Sequence, residues 1–147
     1  MNILALDVAT STGWCNEKGF GTWNMTAKKG ETNDFRLCKL ADNISMMFIN
    51  NKPDLVVYER AAGFHKNALI VEAELLGVLK MLCMEEGIPY EAYSAKAIKK
   101  HCTGTGNAKK QQVMDAVIAK YNVTPKNYDE ADAIALWNMV QDIENTI

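Results

Sequence analysis

The sequence predicts a single α/β domain in which helices flank a mixed central sheet. Short apolar runs typical of strands alternate along the chain with longer segments of helical periodicity. The chain has 147 residues, 48% of them hydrophobic, which is a common size for one domain with a sizeable core. No internal repeat or low-complexity tract interrupts it. We therefore assign residues 1–147 to one domain.

The N-terminal half predicts a three-stranded meander, a helix and a fourth strand. The first segment is apolar on both faces, which is typical of a central strand covered on both sides. Glu17 and Lys18 form a short turn between the next two strands. Apolar residues recur along one side of the helix, which Lys52 and Pro53 end. The predicted strands are Asn2–Val8, Gly13–Asn16, Gly19–Met25 and Leu55–Tyr58, and the helix is Asp34–Ile49.

The C-terminal half predicts four helices and one further strand. The first helix carries apolar residues over more than one stripe, which is wider than packing on one sheet requires. Its surplus face is explained either by a dimer contact or by burial on two sides within its own domain. The strand is Tyr90–Tyr93, and the helices are Asn67–Glu86, a short one capped by Ser94 and ending near His101, Asn107–Tyr121 and Asn127–Ile143.

Composition limits the class of protein. With 23% charged residues and a formal net charge of -2, the chain is neither disordered nor strongly basic, so a nucleic-acid site must be a local patch. Few apolar residues precede Asp7, and no apolar run reaches membrane-spanning length, so we expect a cytoplasmic protein without a membrane partner. The cysteines, Cys15, Cys38, Cys83 and Cys102, contain no C-x-x-C pair and are expected to be reduced thiols.

Two acidic residues stand near the carboxyl ends of apolar strands. Asp7 and Glu59 would project at one edge of the sheet if their strands are parallel neighbours, and sites in α/β sheets form at such strand ends. The alternative for either residue alone is a polar group that ends a strand or opens a turn.

Two further acids begin the last helix. Asp129 and Asp132 are three residues apart, so they share a helix face that continues as the apolar stripe, whereas Glu130 points elsewhere. Charged residues are rarely buried on such a stripe without a partner. The alternative is that Asp129 is the N-cap and Asp132 lies in the first turn, where negative charge is favourable.

Carboxylates that converge raise one another's pKa values unless a cation neutralises them. Ligand sets made only of oxygen favour Mg²⁺, for which Mn²⁺ can substitute. Two such ions ~3.5 to 4 Å apart can activate water and stabilise the leaving oxygen in phosphodiester hydrolysis. The acids therefore indicate a metal-dependent phosphodiesterase.

The segment from Thr103 to Val113 is rich in small and basic residues. Its glycines allow close backbone approach, Asn107 is a candidate helix cap, and the helix N-terminus with Lys109 and Lys110 forms a phosphate-binding feature. The alternative is a capped helix with a solvated lysine pair. Positive charge nevertheless concentrates nearby, at Lys96, Lys99, Lys100, Lys109 and Lys110.

In their order along the chain, these motifs resemble the RuvC family of Holliday-junction resolvases. Leu4-Ala5-Leu6-Asp7 followed by Thr12-Gly13-Trp14 resembles the family's first acidic strand, and Val57-Tyr58-Glu59 resembles its second. The segment from Thr103 to Val113 resembles the family's Gly-x-Gly loop and basic helix. Asp129-Glu130-Ala131-Asp132-Ala133 resembles its last acidic helix.

The resemblance implies an RNase H-like fold and a homodimer that cuts four-way DNA junctions. It implies that Asp7, Glu59, Asp129 and Asp132 bind the metal, and that Lys110 contacts DNA or assists catalysis. Phe64 resembles the aromatic residue that stacks on bases near the crossover; the alternative is that it anchors its loop in the core. The residues expected to bind DNA are Phe64, Lys66, Lys99, Lys100, Thr103, Lys109 and Lys110.

The chain is short and acidic for this family, which suggests a compact phage-encoded member, located in the cytoplasm of a bacterial host, that also cuts forks and flaps. A nuclease for RNA–DNA hybrids on the same fold is the nearest alternative. A protein that binds branched DNA without cutting it is the non-enzymatic alternative. An actin-type ATPase or sugar kinase would need a second domain, for which the chain is too short.

Overall fold

A computed structural model describes residues 1–146; Ile147, the last residue of the predicted domain, lies outside the described residues. Five strands form one mixed sheet in the order β3-β2-β1-β4-β5, and helices cover both faces. The predicted fold class is therefore confirmed. The strands are β1 (Ile3–Asp7), β2 (Ser11–Asn16), β3 (Gly19–Asn24), β4 (Leu55–Glu59) and β5 (Tyr90–Tyr93). The helices are α1 (Phe35–Asn50), α2 (Lys66–Glu86), α3 (Ala95–Thr103), α4 (Lys110–Tyr121) and α5 (Tyr128–Asn145).

Strand β1 occupies the middle of the sheet and sets the position of its neighbours. It pairs antiparallel with β2, which forms a hairpin with β3, so the predicted meander is confirmed. On its other side, β1 pairs parallel with β4, with Leu6 opposite Tyr58. The two strands therefore end at the same edge of the sheet.

The sheet separates two apolar cores, which is why β1 is apolar on both faces. Ile3 and Ala5 pack with α3, α4 and α5, whereas Leu4 and Leu6 pack with α1 and α2. Successive strand residues point to opposite faces, so one strand supplies both cores.

Helix α2 is buried on one side only. Its buried residues are Leu75, Leu76, Leu79 and Cys83. Four of its other large apolar side chains, Leu69, Ile70, Met81 and Met84, are exposed, whereas Val71, Val78 and Leu82 are partly buried. Burial of α2 on two sides of its own domain is therefore wrong, and the exposed apolar surface remains available to a partner.

The boundaries of the C-terminal helices depend on their caps. Ser94 caps α3 as predicted, since its side chain accepts a hydrogen bond from Ala97 N at 3.1 Å. Helix α4 begins at Lys110, three residues later than predicted, and Asn107 is not its cap. Hydrogen bonds to threonine hydroxyls stabilise the turns of the preceding loop instead. Thr103 Oγ1 accepts from Thr105 N, and Thr105 Oγ1 accepts from Asn107 N.

All four cysteines are free thiols, as predicted, with Cys38 exposed and the other three buried. No helix among residues 1–146 is long and apolar enough to cross a membrane.

Candidate active site

An open cavity of about 230 Å³ lies at the sheet edge where β1 and β4 end. Its volume is enough for several water molecules or hydrated ions, since one water occupies ~30 Å³ of liquid. The four predicted acids line it together: Asp7, Glu59, Asp129 and Asp132. The same cavity is lined by Lys99 and Lys110 and by a further acid, Glu72.

The strand pairing positions the first two acids. Asp7 is the last residue of β1 and Glu59 is the last residue of β4. Because Leu6 and Tyr58 are paired in register, the two acids follow at adjacent positions on neighbouring strands. The loop after Asp7 is held by Thr12, whose hydroxyl donates to Ala9 O at 2.7 Å.

The first turn of α5 positions the other two acids. Asn127 is the N-cap, and its side chain accepts a hydrogen bond from Glu130 N at 2.9 Å. The alternative that Asp129 caps the helix is therefore wrong. Asp129 and Asp132 lie inside the helix and both reach the cavity wall, as their spacing predicts.

Glu130 points away from the cavity and is fully buried. Its carboxylate accepts hydrogen bonds from Thr22 Oγ1 and from Lys126 N. These bonds connect the start of α5 to strand β3. A buried carboxylate usually requires such partners, and here they hold the helix end that carries Asp129.

Gly13 allows the backbone of α5 to approach the sheet. It pairs with Asp7 across β1 and β2. A Cβ atom at this position would overlap the backbone carbonyl of Asp129. The absence of a side chain at Gly13 is therefore a condition for the present position of Asp129.

Burial and mutual repulsion raise the pKa values of Asp7, Glu59 and Asp132 in the cavity. The pKa of Asp7 is raised well above its usual value, first by burial and then by Glu59, Asp132 and Asp129. Burial and the charges of Asp132 and Glu72 raise the pKa of Glu59 to about 7. Burial also raises the pKa of Asp132 to about 6, against hydrogen bonding to Asp7. Such a set favours a bound cation.

Two lysines partly offset this repulsion. Lys99 on α3 and Lys110, the first residue of α4, each lower the pKa values of Glu59 and Asp132. Lys109 is the exposed N-cap of α4 and does not line the cavity. The structure thus brings Lys110 together with the acids, and leaves Lys109 outside.

The other predicted DNA-binding residues do not line the cavity. Lys66 and Lys100 are exposed, at the start of α2 and near the end of α3. Thr103 donates from its hydroxyl to Lys99 O at 2.9 Å. Phe64 is fully exposed, so the alternative that it anchors its loop in the core is wrong. The DNA-binding roles of these residues stay predictions.

Glu72 on α2 is the cavity residue that the sequence interpretation missed. A signal was present, because Glu72 interrupts the apolar pattern that continues at Leu75, Leu76 and Leu79. An acid on an apolar helix face is unusual in the same way as Asp129 and Asp132 are.

The chemistry of the donors fits a hard divalent cation. The acids supply only carboxylate oxygens, the ligands that Mg²⁺ and Mn²⁺ prefer. Burial raises the pKa values of Asp7 and Glu59, and a bound cation would compensate the charged forms that burial disfavours. Among residues 1–146, no group of three or more acidic, histidine or cysteine side chains is already arranged so that it could hold a metal ion. The arrangement is an acidic cavity whose oxygens suit such an ion.

The amino-acid sequence is similar to a family model and to curated proteins that carry the same description. Residues 20–138 match the family model described as crossover junction endodeoxyribonuclease RuvC. The protein of that name from Gloeobacter violaceus is 32% identical over 69% of this chain and 60% of its own length. Its counterpart from Prochlorococcus marinus (strain MIT 9312) is 30% identical over 76% of this chain and 71% of its own length. The matched part of the chain thus covers less than two thirds of the first relative.

Solved structures show the same fold. Thermus thermophilus RuvC, determined in complex with a Holliday junction substrate, has a TM-score of 0.75 over 92% of this chain and 89% of that chain, at 20% identity. The yeast mitochondrial Holliday junction resolvase has a TM-score of 0.58 over 90% of this chain and 75% of its own, at 18% identity. These similarities confirm the predicted RNase H-like fold.

Replacement of Gly13 by alanine should displace the start of α5, because the new Cβ overlaps the Asp129 carbonyl. We expect a loss of about 1 to 3 kcal/mol in unfolding free energy, the usual cost of overpacking. Denaturant unfolding measures it. Gly19→Ala is the matched control, since no heavy atom lies within 4 Å of an added Cβ there. Equal stability of the two variants would show that the contact at Gly13 is not restrictive.

The raised pKa values predict how stability depends on pH without divalent cations. Glu59 and Asp132 bind protons more tightly in the folded chain, at about 7 and about 6, than in the unfolded chain. Their contribution is therefore fully present below the unfolded pKa values and is lost as pH rises through 6 to 7. Glu59→Gln removes a group that is ionised above its pKa of about 7, so it should raise the melting temperature near pH ~7.5 and by less near pH ~5.

Thermal unfolding in the presence of a chelator measures this effect. Glu17→Gln is the matched control, because it removes one negative charge from an exposed turn. A melting temperature for Glu59→Gln below that of the unmodified protein at the higher pH would contradict the predicted repulsion.

Proposed function

The chain belongs to the RuvC family of crossover junction endodeoxyribonucleases, and we propose from this membership that it is a metal-dependent, structure-specific endonuclease that cuts four-way DNA junctions. One observation carries the proposal: four carboxylates and two lysines line a single cavity at the ends of β1 and β4. The family match includes Glu59, Asp129, Asp132 and both lysines, and Asp7 precedes it. Fold alone would not indicate a function, whereas this set of side chains does.

Asp7, Glu59, Asp129 and Asp132 would hold the metal, which we propose to be Mg²⁺ with Mn²⁺ as a substitute. Nucleases of this family are metal-dependent. Bound divalent cations would supply an activated water and a positive clamp on the phosphodiester. The carboxylates would hold this charge, and the apolar side chains of Val8, Ile98 and Val113 that also line the cavity lower the local dielectric around it.

Lys110 would act on the phosphate that is cut. It is the first residue of α4, and it lines the cavity together with the acids. An ammonium group there offsets charge on the phosphate as it enters a carboxylate-rich cavity. Lys99 lines the same cavity, and its positive charge would also offset the negative charge of the phosphate.

The DNA path would continue over the exposed basic residues next to the cavity. Lys66, Lys100 and Lys109 are exposed, and they would bind backbone phosphates. The fully exposed Phe64 would stack on bases at the branch point, which costs less at unpaired positions than within a duplex. We therefore include forked and flapped DNA among the proposed substrates of the enzyme.

A homodimer would place two cavities on the symmetric strands of a junction. The exposed apolar side chains of α2, Leu69, Ile70, Met81 and Met84, supply a surface for it. Phage origin and a location in the host cytoplasm stay predictions.

Incubation with an end-labelled four-way junction and Mg²⁺ tests the proposal. We expect paired symmetric nicks that disappear with a chelator and fall at least about 100-fold in Asp7→Asn, because that substitution removes a metal ligand. Asp7→Asn should remain folded, so loss of cutting reports on chemistry. Binding without cutting would favour a junction-binding protein. Cutting of only an RNA–DNA hybrid would favour the ribonuclease.

Substitution of the adjacent lysines separates their roles. Lys110→Ala should lower the rate of cutting at saturating DNA by about 100-fold, since it removes a charge beside the reacting phosphate. Lys109→Ala should instead weaken DNA binding and lower its salt dependence by about one counterion. Single-turnover rates and binding at several salt concentrations measure both. Equal effects of the two substitutions on the rate would contradict this assignment.

A further inference from the structure

Glu72 occupies a position where the packing of α2 favours an apolar residue. Leu75, Leu76 and Leu79 follow it at intervals that share its side of the helix, and all three are buried. A charged residue at such a position usually has a partner. Glu72 therefore requires an explanation that packing does not give.

The structure supplies no partner for this carboxylate. Among residues 1–146, Glu72 forms no hydrogen bond from its side chain and no ion pair. Acids of low exposure outside the cavity are paired: Glu130 accepts from Thr22 and Lys126, and Glu31 pairs with Lys39 at 2.7 Å. Glu72 is half-buried without such a partner, as are the four acids that share its cavity.

The surroundings of Glu72 show where its charge acts. Its side chain lines the cavity that holds Asp7, Glu59, Asp129 and Asp132. Its charge opposes ionisation of Glu59, so the two carboxylates interact across that cavity. An apolar residue at this position would remove that repulsion and extend the core. Glu72 is thus a cost to the folded chain that a cation in the cavity would offset.

We propose that Glu72 is a fifth carboxylate of the cavity and binds divalent cations together with Glu59. The inference rests on the proposed function, which places the metal on the other four acids, and adds to it a residue from α2. Its additional negative charge strengthens cation binding. Because Glu72 lies on α2, it adds a carboxylate from an element other than β1, β4 and α5.

Calorimetric titration with Mn²⁺, in the absence of DNA, tests this role. Glu72→Gln should weaken Mn²⁺ binding by about tenfold, because one unit charge near the ion is lost. Glu72→Asp keeps the charge and should retain most of the affinity. Glu74→Gln is the matched control, since Glu74 is exposed on the same helix and does not line the cavity.

Thermal unfolding gives an independent readout. Without divalent cations, Glu72→Gln should melt at a higher temperature than the unmodified protein, because a repelling charge is gone. Saturating Mn²⁺ should stabilise the unmodified protein more than the variant. The difference between their melting temperatures should therefore become smaller or change sign.

Equal Mn²⁺ affinity of Glu72→Gln and the unmodified protein would overturn the role of Glu72. If the unmodified protein nevertheless cut junctions, the proposed function would stand, and only the role of Glu72 in binding the cation would be rejected. If the unmodified protein bound no Mn²⁺ and cut no junction, both proposals would fail.

Discussion

Repulsion among carboxylates gathered at one edge of the sheet is the constraint on which the rest of the structure depends. Asp7 and Glu59 are adjacent because β1 and β4 run parallel in register, and Asp129 and Asp132 approach them from α5. Burial and mutual repulsion raise the pKa values of Asp7, Glu59 and Asp132, so the folded chain disfavours their charged forms. The two apolar cores, one on each face of the sheet, stabilise the folded chain and offset the unfavourable free energy of these buried carboxylates.

Contacts outside the cavity maintain the position of α5. Gly13 lets the Asp129 carbonyl approach the sheet, and Asn127 caps the helix. The buried carboxylate of Glu130 connects the same turn to Thr22 on β3. These residues take no part in the proposed reaction, yet they determine where two of the acids lie. A site of this kind depends on its support as much as on its ligands.

Prediction from sequence succeeded where a residue's role follows from local periodicity. Apolar runs and helical spacing predicted the meander of β1, β2 and β3 and the shared helix face of Asp129 and Asp132. The residues left the parallel pairing of β1 and β4 open, and only the resemblance to the RuvC family implied that the four acids form one site. Prediction from sequence failed at Asn107, because hydroxyls of nearby threonines, rather than a helix cap, determine that turn. It missed Glu72 because α2 is apolar on several sides, and only the fold shows which of them faces the cavity.

Anomalous diffraction from crystals soaked in Mn²⁺ tests the central claim most directly, because it locates the ion without reference to activity. The account predicts anomalous peaks inside the cavity lined by Asp7, Glu59 and Asp132. The same peaks should disappear in crystals of Asp7→Asn. Well-ordered crystals without density in this cavity, or with Mn²⁺ bound only at surface carboxylates, would contradict the claim that these acids are gathered to hold a divalent cation.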